Sequence, residues 1–453
     1  MRENMYARQL SKSGFCLVVC AMLAMIMHAT TVVAQTENAL YTFTGGTDGA
    51  VPQGNLIADA NGNYYGANVL GGQFGGNCFS FGCGNVFELS PNGSGGWTET
   101  VLYTFTGGSD GAGPEAGLAF DSHGNLFGTT VDGGYLGNSD CGLIGPGCGV
   151  VFELSPNGDG TWTESVVYTF RGGQDGFLPQ TAVGFDASGN LYGTADLGGS
   201  KQVGTIFELS PNGSGGWTYN RIHSFTNGKD GGRPVAGFLV DSKGDLFVTT
   251  TQGGNLKAGC KASGCGALFE MSPNGSGGWI PHVLHDFTGH QDGAIPVGIS
   301  MDANGNLFGV AQNGGNDTLC TNLGEFPGCG VVYEVMATSG GWKGQVIYTF
   351  TGQADGANPD AALAFDATGN VYGTSNKGYA NSGAVFKLSQ TAGIWTEQTL
   401  YGFTGGLDGG EPDQNGVILD GSGNVFGTTQ EGGDAACTIN GPPGCGVFYE
   451  IKP

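Results

Sequence analysis

The sequence predicts an all-β protein, a seven-bladed β-propeller built from four-stranded antiparallel blades. Three observations predict it. One motif recurs seven times along the chain, each copy reads as four short strands, and the last copy lacks a strand that the first residues after the leader supply.

The repeat is marked by Leu-Tyr-Thr-Phe or a close variant, ending at Phe43, Phe105, Phe170, Phe225, Phe287, Phe350 and Phe403, with a mean spacing of about 60 residues. A T-G-G-x-D-G-like turn follows each time, carrying Asp48, Asp110, Asp175, Asp230, Asp292, Asp355 and Asp408, and a proline stands four residues beyond each aspartate. Then come a short apolar run, a D-x-x-G-N turn, a Y-G-T-T-like run, a Gly-Gly loop, a run such as Val150-Val151-Phe152-Glu153-Leu154, an S-P-N-G turn and a Trp. Short runs separated by Gly, Asn and Pro are strands and turns, and Asn-Gly is a hairpin signal. Runs such as Gly117-Leu118-Ala119-Phe120 do not alternate, which suits sheets covered on both faces. Glycine inside the second strand (Gly66, Gly128, Gly193, Gly309, Gly373, Gly427) marks a close approach, expected from an aromatic ring of the neighbouring unit.

The last copy stops after its third strand, Val447-Phe448-Tyr449-Glu450-Ile451, and the missing fourth strand stands at Ala39-Leu40-Tyr41-Thr42-Phe43. The N-terminal strand is therefore expected to complete the last blade, which pairs edges that would otherwise be exposed. A transmembrane β-barrel would need longer, strictly alternating strands.

Glycine accounts for 91 of 453 residues and charged residues for 12%, with 15 Lys and Arg against 39 Asp and Glu. So few cations exclude a nucleic-acid surface, the composition excludes long helices and coiled coils, and glycine lacks the period of collagen. The first 34 residues read as a secretory signal peptide: Arg2, Arg8 and Lys12, an apolar run from Phe15 to Met27, and a Val32-Val33-Ala34 cleavage site. Its removal leaves 12 positive and 38 negative residues, a single propeller domain over 35–453, and no later apolar stretch to span a membrane. The expected location is secreted, extracellular or cell-surface, with the periplasm as an alternative, and a monomer is expected.

The T-G-G-x-D-G and D-x-x-G-N-L-Y-G-T-T signature resembles the GloVer-type tandem repeat family of exported bacterial proteins, over essentially all of residues 38–453. The resemblance implies a surface or secreted propeller-like protein and brings no catalytic residues.

Ten cysteines form five local couples, Cys78/Cys83, Cys141/Cys148, Cys260/Cys265, Cys320/Cys329 and Cys437/Cys445, each in the loop between second and third strands. In an exported chain these read as disulfides. Five different spacings without matching histidines speak against zinc.

Alternating strands place the T-G-G-x-D-G turns and the cystine loops on one face. The cystine loops alone vary in length, so binding is expected there, on exposed loops stapled by their disulfides. Phe79, Phe81, Tyr135 and Phe326 lie in these loops as candidate rings for a sugar or a partner. The residues after the prolines open the innermost strand, and five of them, Gln53, Glu115, Gln180, Asp360 and Asp413, are polar candidates for a channel-mouth site. The seven turn aspartates are read as structural, with calcium the alternative, because the closing Glu and further ligands of an EF-hand are missing. No cofactor or metal site is otherwise expected. His282, His285 and His290 fall on a strand and a turn. Gly107-Gly108-Ser109-Asp110-Gly111 matches a nucleophile elbow only by accident, since the other copies replace Ser109.

The expected function is a binding or scaffold module for an extracellular glycan or protein, working through the cystine-loop face. The alternatives are a polysaccharide lyase or hydrolase that uses channel-mouth carboxylates, and a structural envelope component.

Overall fold

The computed structural model describes residues 35–78, 80–137, 141, 146–235, 237–256, 260, 263–321, 326–378, 381–439 and 444–452. The expected leader at 1–34 and Phe79 lie outside the described residues.

Among the described residues 28 strands form seven four-stranded antiparallel sheets, the blades of a seven-bladed propeller. Blade 1 is β2 (Ala50–Ala58), β3 (Tyr64–Leu70), β4 (Asn85–Pro91) and β5 (Trp97–Thr104), in sequence order from first strand to fourth. Blades 2 to 6 repeat this order. Blade 7 is β26 (Ile418–Leu419), β27 (Val425–Thr429) and β28 (Val447–Lys452), completed by β1 (Thr36–Thr42). β1 runs antiparallel to β28 with Thr36 opposite Lys452 and Thr42 opposite Val447. The chain thus closes its ring with its own N-terminal strand, as the repeat pattern predicts.

Each blade buries the Phe that ends its fourth strand: Phe43, Phe105, Phe170, Phe225, Phe287, Phe350 and Phe403 are all 0% exposed. A β-bulge interrupts the pairing of third and fourth strands, for example between Val86 and Phe87, and turns an additional apolar residue, Leu102 in blade 1, inward. The second-strand glycines do make room for aromatic rings, but the rings come from the third strand of the same blade and not from the neighbouring unit. Gly66 is paired with Phe87, and a Cβ on Gly66 would stand 2.6 Å from Phe87 Cζ. The ring folds across its own cross-strand partner, which alternation along β4 alone does not reveal.

Neighbouring blades are joined by a repeated backbone latch. The residue before each proline (Val51, Gly113, Leu178, Arg233, Ile295, Asn358, Glu411) has φ between 48° and 65°. This left-handed geometry is costly for Val and Ile. It turns the amide toward the preceding blade. Gly113 N donates to Cys83 O at 2.9 Å, Leu178 N to Cys148 O at 3.3 Å, Ile295 N to Cys265 O at 3.0 Å, and Asn358 N to Cys329 O at 2.8 Å. Loops without cysteine use Val203 O and Ser382 O in the same place. The following proline then lies against the glycine after the second cysteine: a Cβ on Gly84 would stand 2.7 Å from Pro114 Cδ. Threonines of second strands add bonds to the next blade, as in Thr194 Oγ1 to Pro234 O at 3.0 Å and Thr374 Oγ1 to Asn415 O at 2.9 Å.

Candidate functional site

All five cysteine couples are disulfides, and each closes the loop between second and third strands: Cys78–Cys83, Cys141–Cys148, Cys260–Cys265, Cys320–Cys329 and Cys437–Cys445. The cysteines themselves are buried beneath the loops they close, Cys320 in part. Cys148, Cys265, Cys329 and Cys445 are 0% exposed. Cys148 packs with Cys141, Val131 and Phe170 in one apolar cluster. The reason is local: the second cysteine stands two residues before the third strand, where the next blade latches onto its carbonyl, so its sulfur points into the core. These cysteines are structural groups beneath the face. The T-G-G-x-D-G turn after the fourth strand of the same blade covers the sulfurs: a Cβ on Gly107 would stand 2.7 Å from Cys83 Sγ, and one on Gly45 2.5 Å from Cys437 Sγ. Turns and cystine loops therefore share one face. Disulfides of this number fit an oxidising compartment. No described helix is long and apolar enough to cross a membrane.

The turn aspartates are consumed by their own turns. Asp110 accepts from Thr106 N at 2.8 Å, Thr106 Oγ1 at 2.6 Å, Gly108 N at 3.1 Å and the Tyr103 hydroxyl at 3.1 Å. Asp48, Asp175, Asp355 and Asp408 likewise accept from a tyrosine, while Asp230 and Asp292 face His223 and His285 at the same position. Among the described residues no group of three His, Cys, Asp or Glu is arranged to hold a metal ion.

At the axis the first strands and the segments leading into them meet closely. A Cβ on Gly54 would stand 2.3 Å from Gly117 N, and Gly416 N donates to Asn55 Oδ1 at 2.7 Å. A small cavity of about 60 Å³ remains, lined in part by Glu115, Gln180, Asp360 and Gln414. Gln180 Nε2 donates to Glu115 Oε2 at 2.8 Å. Asp360 is 2% exposed, with Asp413 and the backbone of Gln414 as its polar neighbours. Burial, followed by the charge of nearby Asp413, holds its pKa well above the usual carboxylate range. Asp413 itself accepts from Asn376 Nδ2 at 2.9 Å. Gln53 stands in β2, partly buried, outside the lining of this cavity. In blades 2, 3, 6 and 7 the regular first strand begins several residues after the proline, at Ala119, Gly184, Ala364 and Ile418. Glu115, Gln180, Asp360 and Asp413 are thus on irregular backbone ahead of the strand rather than in it.

A larger pocket of about 350 Å³ opens beside the first cystine loop. Leu70, Phe81, Val131 and Pro146 supply apolar wall, and Glu115 and Asp132 supply carboxyl groups. Burial raises Glu115 to about 7 despite the bond from Gln180, with Asp132, Asp196 and Asp413 adding to the rise. Burial raises Asp132 to about 6, and its Oδ1 is buried without a partner. Phe81 is 41% exposed. The pocket therefore joins a loop ring and a mouth carboxyl that the sequence places in separate candidate groups.

Among the remaining loop candidates, Tyr135 is 43% exposed, beside the exposed Leu136. Phe326 corrects the expectation: it is 7% exposed and packs with Cys260, Cys265 and Phe287 between blades. It belongs to the core and offers no ring to a ligand. The repeat pattern did not single out Asp132. It occupies the position before the Gly-Gly pair (Gly-Tyr in blade 6), which the repeats fill with Leu70, Asp132, Leu197, Gln252, Asn313, Lys377 and Glu431. Variation at this one position, inside an otherwise repetitive segment, is the signal that points to it. Asp196, one residue earlier in its own repeat, was missed for a similar reason. Its carboxylate accepts from Arg233 Nε at 2.7 Å, yet burial still raises it to about 6 against the pull of Arg233.

Comparison with known proteins adds a repeat type. No curated protein matches the chain. Similar solved structures include a gluconolactonase of Xanthomonas campestris (13% identity, 75% of this chain and 85% of that one, TM-score 0.41). A PQQ-bound aldose sugar dehydrogenase of Streptomyces coelicolor matches at 14% identity over 81% of this chain and 97% of that one, with a TM-score of 0.41. A protein of unknown function from Dyadobacter fermentans matches at 13% identity over 93% and 100%, with a TM-score of 0.43. Over residues 142–321 the sequence matches the model of the Gloeobacter/Verrucomicrobia repeat, the repeat type that the seven copies of the signature resemble.

Proposed function

We propose that the protein is an exported binding module that holds its ligand on the cystine-loop face, in the pocket between the first cystine loop and the carboxyl groups of Glu115 and Asp132. The observation that carries this reading is the pairing of an exposed aromatic ring, Phe81, with a buried carboxyl oxygen of Asp132 that has no partner. A ring wall with a few convergent polar groups is how rigid scaffolds bind small polar molecules. A glycan suits it best: sugar C–H faces stack on a ring, and hydroxyls satisfy carboxyl oxygens. The leader at 1–34 and the five disulfides support export. The test is a glycan array, with a protein pull-down beside it, on the mature chain and on the Phe81→Ala and Glu115→Gln variants. Binding that both substitutions weaken supports the pocket; binding that neither changes removes it.

One observation favours a second reading. A carboxyl group raised to about 7, as Glu115 is, is poised for general acid work in glycan cleavage. Release of reducing ends or unsaturated products from candidate polysaccharides, abolished by Glu115→Gln, would establish an enzyme. A bound glycan recovered intact would set that reading aside.

A further inference from the structure

The fourth strands show a second departure from the repeat. Opposite an apolar residue of the third strand, four blades carry glutamate: Glu99 faces Leu89, Glu164 faces Leu154, Glu397 faces Leu388 and Glu37 faces Ile451. Blade 3 carries Tyr219, whose hydroxyl reaches Asp175 O at 2.6 Å and whose ring stacks on Tyr168 at 4.3 Å. Blade 4 carries Pro281. Each glutamate lies near the turn aspartate of the preceding blade, Glu99 by Asp48 and Glu164 by Asp110. This residue fills the slot between neighbouring outer strands.

Blade 5 has Gly344 there, opposite Val335. The slot between the fourth strand of blade 4 (Trp279–Asp286) and that of blade 5 (Gly341–Thr349) consequently opens into a groove of about 760 Å³. That is within the range of small-molecule sites. A Cβ on Gly344 would stand 3.2 Å from His285 Nδ1, so that ring atom faces the vacated space. The other ring nitrogen, Nε2, is 3.2 Å from Asp292 Oδ2. A carboxylate partner at Nε2 orients the proton there and leaves Nδ1 as an acceptor toward the groove. Gln345 commits its amide Nε2 to Glu334 Oε2 at 2.7 Å, on the face of the sheet opposite Gly344. Asp317, which meets His290 Nδ1 at 2.9 Å, lines the same wall, and Val335 and Val346 supply an apolar floor. Among the described residues that line the groove none is Lys or Arg. Acceptors and carboxylates around an apolar patch call for a ligand with many O–H donors, C–H faces and no negative charge.

We infer that the groove between blades 4 and 5, opened by Gly344, is a binding site for an uncharged saccharide unit, separate from the pocket on the cystine-loop face. Its hydroxyls donate to His285 Nδ1 and Asp317, and its C–H face lies on Val335 and Val346.

The test uses the mature full-length chain, titrated calorimetrically with cellohexaose, xylohexaose and mannohexaose, and with hexagalacturonate as the acidic counterpart. Gly344→Glu installs the residue that four other blades already hold in this slot, and Gly344→Tyr installs that of blade 3, so both variants are built from the repeat's own solutions. At least one uncharged hexasaccharide should bind, both variants should weaken it by at least about tenfold, and hexagalacturonate should bind more weakly. The inference is overturned if none of the three uncharged sugars binds, if both variants bind as the parent does, or if hexagalacturonate binds equally well. Binding that survives both Gly344 variants but falls with Phe81→Ala belongs to the cystine-loop face and also overturns it.

Discussion

The amide of Val51 donates to the carbonyl of Cys445 at 3.0 Å. This one bond joins the start of blade 1 to the cystine loop of blade 7, beside the pairing of β1 with β28. Val51 reaches it with φ at 57°, a conformation that a β-branched residue adopts only where its surroundings hold it. The disulfides therefore do more than close small loops: each fixes the carbonyl on which the next blade is latched.

Reduction should show this. The Cys437→Ser/Cys445→Ser double variant should lose about 2 kcal/mol from the closed loop alone, so the melting temperature should fall by roughly 2 °C or more. Hydrogen exchange should rise at Val51 as well as within the loop. Scanning calorimetry and exchange mass spectrometry measure both. Faster exchange confined to 437–445 would mean that the latch is independent of the disulfide.

The turn aspartates should be structural in every blade. Asp110→Ala removes the acceptor for four hydrogen bonds, including that of Tyr103, and should cost about 1–3 kcal/mol with the disulfides intact. Denaturant unfolding reads the loss. A variant as stable as the parent, with added calcium restoring nothing, would show that the turn holds without its carboxylate.

Close packing at the second-strand glycines is equally open to test. Gly66→Ala places a methyl 2.6 Å from Phe87 Cζ and 2.8 Å from Leu56 Cδ2, and should cost about 1–3 kcal/mol by overpacking. Phe87→Leu in the same chain should recover part of it. Absence of any recovery would place the strain elsewhere.

Stability should fall from mildly acidic to mildly basic pH. Burial, with a neighbouring aspartate second, raises Glu37, Glu99 and Glu164 to about 7. Glu115 also lies at about 7, and Asp132 and Asp196 at about 6. A carboxyl raised in the folded state binds its proton more tightly there. Its contribution is whole below the unfolded value and is lost as pH rises through the folded value. The opposite group is Asp59 and Asp121, where burial raises the pKa but hydrogen bonds from their own turns outweigh it and lower the value. Their contribution is lost as the solution becomes strongly acidic. The melting temperature should therefore peak between about pH 4 and pH 6 and decline toward about pH 8. A thermal-shift series across this range checks it, and a maximum at the basic end would contradict it.

Much of the fold was legible because seven copies repeat the same local rules: the buried Phe at each fourth-strand end, the aspartate turn, the cysteine couples and the split last blade. What was not legible depends on which neighbour a side chain meets. Phe87 crosses its own blade at Gly66, and Phe326 turns from an apparent loop ring into core between Cys265 and Phe287. Cys148 pairs with Cys141 as its spacing suggests, yet its burial against Phe170 follows from the blade contact and not from the spacing. The candidate site was half visible. Glu115 and Phe81 could be named from their repeat positions, but their meeting in one pocket requires the curvature of the ring. Asp132 and Gly344 stand out only when the blades are aligned by strand register and the odd residue is sought.

The most direct measurement on the cystine-loop pocket is a carbon-detected NMR titration of the Glu115 side-chain carboxyl in the full mature chain. The midpoint should lie near 7, lowered when Asp132→Asn removes the neighbouring negative charge. A midpoint near the ordinary glutamate value of about 4.5, unmoved by Asp132→Asn, would mean a solvated carboxylate at an open rim and would contradict the site proposed here.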